Sequence, residues 1–153
     1  MATQRKSELL LALARAEAEL ARLRAEDTAQ IRDQTGAAAA IRLACAANPE
    51  QEAFVAVLLD SRQRTLAVRV IALGSLAQVE VHPRELFRDA VRMAAHAMII
   101  GHNHPSGDPR PSDADHALTR RMVDAGKLLG IPVLDHLVVT PTDLVSFAAM
   151  GML

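Results

Sequence analysis

Two apolar stretches, "AFVAVLLD" at 53–60 and "AMIIGH" at 97–102, constrain the fold of this chain more than any other feature. A strand with one wet face alternates apolar and polar residues, so a continuous apolar run belongs to a strand covered on both faces. Between and around them lie further elements of both kinds. "TLAVRVIAL" at 65–73 reads as a β-branched strand after the turn "DSRQR", "QVEV" at 78–81 as a short third strand, and "IPVLDHLVVT" at 131–140 as another. "HPRELFRDAVRMAAH" at 82–96 reads as a helix, with Pro83 in its first position and Leu86, Phe87, Ala90 and Val91 along one face. "DADHALTRRMVDAGKLLG" at 113–130 reads as a second helix, started by the S-x-x-D spacing of Ser112 and Asp115 and ended by Gly130. Alternating strands and helices imply an α/β fold, a mixed sheet flanked by helices.

The chain of 153 residues has the size of one domain, and half of it is hydrophobic, enough for a buried core. Aromatic residues make up only 2%, with no Trp or Tyr, which argues against a base-stacking platform for single-stranded nucleic acid. A net charge of −1 provides no overall electrostatic footprint for DNA or a membrane surface. The single Cys45 excludes an internal disulfide, fits a reducing compartment, and reads as a small buried residue rather than a nucleophile.

The first 49 residues read as an N-terminal helical region, followed by the main domain at 50–153. The opening residues imitate a signal peptide, but Arg15 and Glu17 interrupt the apolar run from Leu9 to Ala14. With no run near the roughly 20 apolar residues of a membrane span, the reading is cytoplasmic. Leu9, Leu13, Ala16, Leu20 and Leu23 form a short heptad seam in a helix over 7–27. Such a seam either packs on its own domain or pairs two copies into a homodimer. Gly36 is expected to separate this helix from an Ala-rich one that stops at Asn48-Pro49.

The run "GHNHPSGDPRPSDADHAL", from Gly101 to Leu118, carries the chemistry. In an extended segment, residues i and i+2 point the same way, so His102 and His104 converge just past a buried strand. Asp115 lies in the first turn of the next helix, and Pro109 and Pro111 stiffen the path between. Two imidazoles and a carboxylate make a three-ligand set for Zn2+, one ion per chain, with the fourth position open as catalytic zinc requires. Hydrolysis also needs a base to take a proton from the attacking water. Glu52, at the start of the first core strand, is the candidate, with Glu50, Glu80 and Glu85 as rivals. His136 reads as a satisfied core residue or a partner to a ligand, and His116 as exposed. His82 belongs to a helix entry and His96 to a helix exit.

These residues resemble a known pattern: Glu52, His102, His104, Pro105, Ser112 and Asp115 match the JAMM motif of MPN-type metalloproteases. More narrowly, "VHPRELFRDAV", "GHNHPSGDPRPSDAD" and "LLGIPVLDHLVV" resemble the RadC family over about residues 50–153. The resemblance implies a cytidine-deaminase-like MPN fold with zinc on His102, His104 and Asp115. It implies Glu52 as general base, and Ser112 as a donor to the tetrahedral oxyanion. Full-length members carry a helix-hairpin-helix region for DNA, and the first fifty residues here show no such hairpin, as expected of a short form or a fragment.

Three functions then compete. The leading one is a zinc hydrolase cleaving a peptide or isopeptide bond in a protein or peptide substrate. The others are a nucleic-acid factor in DNA repair, including a metal-dependent nuclease, and a non-catalytic scaffold. Composition gives the nucleic-acid reading no support, although Arg110, Arg120 and Arg121 fall close to the motif in sequence.

Overall fold

A computed structural model describes residues 34–74 and 81–153. The elements run α1 (Gln34–Cys45), β1 (Ala53–Leu59), β2 (Thr65–Leu73), α2 (Pro83–Arg92), β3 (Ala97–Asn103), α3 (Asp113–Leu129), β4 (Val133–Val139) and β5 (Leu144–Ser146). The strands form one five-stranded mixed sheet in the order β2-β1-β3-β4-β5. Among the described residues only the β3–β4 pair is parallel; β1–β2, β1–β3 and β4–β5 are antiparallel. The fold is therefore α/β, with a mixed sheet flanked by helices, as the sequence implied.

Every residue of β1 and β3 is buried, and the two faces of the sheet explain why. On one face, Phe54, Ala56, Leu58, Met98 and Ile100 pack against Leu86, Phe87 and Ala90 of α2 and Leu118, Met122 and Val123 of α3. On the other, Ala53, Val55, Val57 and Leu59 pack against Ala37, Ala38, Ile41 and Cys45 of α1. The helix thus lies on the N-terminal side of the expected boundary at residue 50, yet it closes the core of the sheet. Its approach depends on Gly101: a Cβ there would come within 2.5 Å of Ile41 Cδ1 and 2.8 Å of the Leu137 carbonyl oxygen.

Three expectations need correction. Gly36 does not break the helix but is the exposed third residue of α1, whose Ala37, Ala38 and Ile41 pack against the sheet and outweigh its low helix propensity. Val91 is exposed, so the buried stripe of α2 is Leu86, Phe87 and Ala90. His116 is half-buried, with its ring 5.0 Å from that of Phe147. The heptad seam at 7–27 and most of the expected strand at 78–81 lie outside the described residues. Among the described residues, no helix is long and apolar enough to cross a membrane.

Helix α3 begins with a full capping box: Ser112 Oγ accepts from the Asp115 amide, and the Asp115 carboxylate accepts from the Ser112 amide. Gly130 ends it at φ 69°, the left-handed region. The β3–α3–β4 unit thereby brings the first turn of α3 to the carboxyl end of β3, where ligands of α/β sheets gather.

Candidate metal centre

His102 is the penultimate residue of β3, on the face covered by α2 and α3, and is completely buried. His104 lies one step past the strand and keeps the pairing going, since its amide donates to the Val139 carbonyl at 3.0 Å. Asp115, in the first turn of α3, is also buried. One ligand atom from each of the three lies within 4.8 Å of the others. His102 Nε2 is 3.0 Å from His104 Nε2 and 3.3 Å from Asp115 Oδ1, and His104 Nε2 is 3.6 Å from Asp115 Oδ2.

These spacings fit a small tetrahedral cation. Bonds of about 2.0–2.1 Å to nitrogen and oxygen place ligand atoms roughly 3.3 Å apart along the edges of a tetrahedron. The protonation pattern fits as well. His104 Nδ1 lies 2.8 Å from the Asp108 carbonyl, which can only accept, so the proton of the neutral ring is on Nδ1. Its Nε2 then carries a lone pair, aimed at His102 Nε2. At 3.0 Å that lone pair needs a proton or a cation between the two nitrogens.

The carboxylate has the charge that a cation needs. Burial alone would push the Asp115 pKa up. Without a cation bound, a hydrogen bond from the His102 ring, in the place a cation would take, and the amide and hydroxyl of Ser112 outweigh that and hold it well below the usual carboxylate range. Asp115 Oδ2 accepts from the Ser112 amide at 2.7 Å and the Ser112 hydroxyl at 2.9 Å. The capping box that starts the helix therefore also fixes the orientation of Asp115.

Glu52 immediately precedes β1. Phe54 pairs with His102, and Glu52, two residues earlier in the chain, lies at the same end of the sheet. Its side chain is half-buried. Of the rivals, Glu50 is exposed, Glu85 pairs with Arg84 and Arg88, and Glu80 lies outside the described residues. Arg110 is held by Asp108 at 2.6 Å, and Arg121 donates to the Val81 carbonyl at 3.0 Å, so both cations face protein partners.

One residue near the site was not legible as functional, and another was legible only as a core residue or a partner to a ligand. Asn103, between the histidines, reaches back to the segment before β1. His136 of β4 lies behind His102, with its Nε2 2.8 Å from His102 Nδ1. His136 is fully buried, and burial first, then the neighbouring histidines, push its pKa well below the ordinary imidazole value. His136 thus fits its reading as a satisfied core residue or a partner to a ligand; that His102, 34 residues away, is its neighbour was not legible.

Two histidines and an aspartate gathered at the carboxyl end of a central strand define an α/β domain with a group of side chains that could hold a metal ion. A family model described as RadC-like JAB domain matches residues 31–152, and the chain belongs to the RadC family. A UPF0758 protein of Geotalea uraniireducens is 50% identical over 103 residues, 67% of this chain and 45% of its own length. A UPF0758 protein of Symbiobacterium thermophilum is 48% identical over 102 residues, 67% of this chain and 44% of its own. The matched stretch thus spans less than half the length of these relatives.

Proposed function

We propose that this domain is a zinc-dependent hydrolase of JAMM type that cleaves a peptide or isopeptide bond. The observation that carries the reading is the convergence of His102 Nε2, His104 Nε2 and a charged Asp115, with His102 and Asp115 buried and His104 partly so. Membership of a JAB-domain family supports the same metal-hydrolase class. Zinc held there supplies a Lewis acid that acidifies water and polarises a carbonyl.

The residues of the chain supply the rest. Glu52 takes a proton from the attacking water and returns it to the departing amine nitrogen as the C–N bond breaks. The Ser112 hydroxyl, which rests on Asp115 Oδ2, turns to donate to the oxygen on which negative charge develops. Asp115 retains the Ser112 amide as a donor when the hydroxyl turns away.

Hydrolysis of a panel of peptide and isopeptide substrates, by wild type and Glu52→Gln in parallel, tests the reading. Glu52→Gln keeps the shape of the side chain but cannot accept a proton. Its rate is expected to fall by about 10²–10⁴ with zinc content unchanged. Ser112→Ala is expected to lose less activity and about 1 kcal/mol of stability through its cap. Equal rates for wild type and Glu52→Gln would remove Glu52 as the base.

A further inference from the structure

We infer that Thr119 and His136 form a positioning relay that fixes the tautomer of His102 and so turns the His102 Nε2 lone pair toward the metal; the inference rests on the metal-centre reading above. The relay starts at a carbonyl. Thr119 Oγ1 lies 2.6 Å from the Asp115 backbone oxygen, which can only accept, so the single hydroxyl proton is committed there. Thr119 Oγ1 also lies 2.6 Å from His136 Nδ1. With its proton already donated, the hydroxyl oxygen can only accept from Nδ1–H.

A neutral His136 ring with its proton on Nδ1 presents a lone pair at Nε2. His102 Nδ1 is 2.8 Å from it and must be the donor. That leaves His102 Nε2 unprotonated, on the side of His104 and Asp115. The relay thus begins at the main chain of one proposed ligand and ends on the ring of another.

A histidine ligand more often donates its second N–H to a carboxylate, a carbonyl or water, groups that accept in any state. An imidazole accepts at Nε2 only in one tautomer, so its own proton must be placed, and Thr119 does that. Phe147 stacks on His136 at 4.8 Å with planes 15° apart, and Phe54 meets it edge-on at 5.8 Å. These rings hold the plane of His136 and enclose it in apolar surface. The Phe147 amide donates to the His136 carbonyl at 3.0 Å, which fixes the stacking partner to the same strand.

Ring-nitrogen NMR of histidine-labelled protein, combined with zinc affinity from chelator competition, tests the relay without any activity assay. In zinc-loaded wild type, His136 is expected to carry its proton on Nδ1, with a scalar coupling across His102 Nδ1–H to His136 Nε2. Thr119→Val and His136→Phe are each expected to weaken zinc binding about 10–100-fold, and Thr119→Ser to restore it. A proton on His136 Nε2 would overturn the relay. So would zinc affinity unchanged in both variants beside a lowered melting temperature, the result of a purely structural role. If neither variant folds, the wild-type spectrum decides: Nδ1–H supports the relay and Nε2–H overturns it. A wild type that takes up no zinc overturns the metal-centre reading and the relay with it, whereas normal wild-type binding with insensitive variants overturns the relay alone.

Discussion

Asn103 grips Ala53: its Oδ1 accepts from the Ala53 amide at 2.7 Å, while its Nδ2 donates to the Gln51 carbonyl at 3.0 Å. The two bonds fall on either side of Glu52 and tie the start of β1 to the end of β3. A side-chain amide suits this task because it offers an acceptor and a donor on one rigid plane.

Asn103→Ala removes both partners from a site that is largely closed to water. A loss of about 1–3 kcal/mol in unfolding free energy is expected, since a buried amide is left unsatisfied. Zinc content should stay at the wild-type level, because no ligand is touched. Denaturant melts beside metal analysis check this, and an unchanged melt would show that the clamp contributes nothing.

Cys45 contributes to a cleft of about 220 Å³ next to His104, yet its residue is only 5% exposed. Burial pushes its thiol from the ordinary value of 9.0 to about 11, against a smaller downward pull from the Asn103 backbone. The folded pKa exceeds the unfolded one, so this contribution to stability is complete below about pH 9 and is lost as pH rises toward 11. The loss is on the order of 2 kcal/mol. Cys45→Ala should flatten that alkaline limb of a stability–pH curve. At pH 8 a thiol reagent should modify wild type only as fast as the protein unfolds. Rapid labelling of native protein would show an accessible, reactive thiol instead.

Much of the frame was legible because its signals are local. β2 runs over the whole of "TLAVRVIAL", and α3 is capped by Ser112 and Gly130, since capping depends on residues three or four apart. The i,i+2 spacing of His102 and His104 was equally readable, and Asp115 joins them because one loop and one capped helix carry it back. The misses depend on distant partners. Gly36 is helical because α1 packs on the sheet, and the bare Cα of Gly101 makes room for Ile41. His116 is covered by Phe147, a residue 31 positions away that pattern reading cannot bring to it. Asn103 acts through a contact spanning 50 residues, and His136, read as a core residue or a partner to a ligand, meets His102 across 34; neither pairing has a sequence period.

The central claim is that His102, His104 and Asp115 hold zinc, and stoichiometry tests it most directly. Wild-type protein, stripped with chelator and titrated with zinc at neutral pH, should be measured by metal analysis beside His102→Ala and Asp115→Ala. About one zinc per chain is expected for wild type. Each variant should retain little, since each loses one of three protein ligands. Failure of wild type to take up zinc, or equal uptake by the folded variants, would contradict the claim.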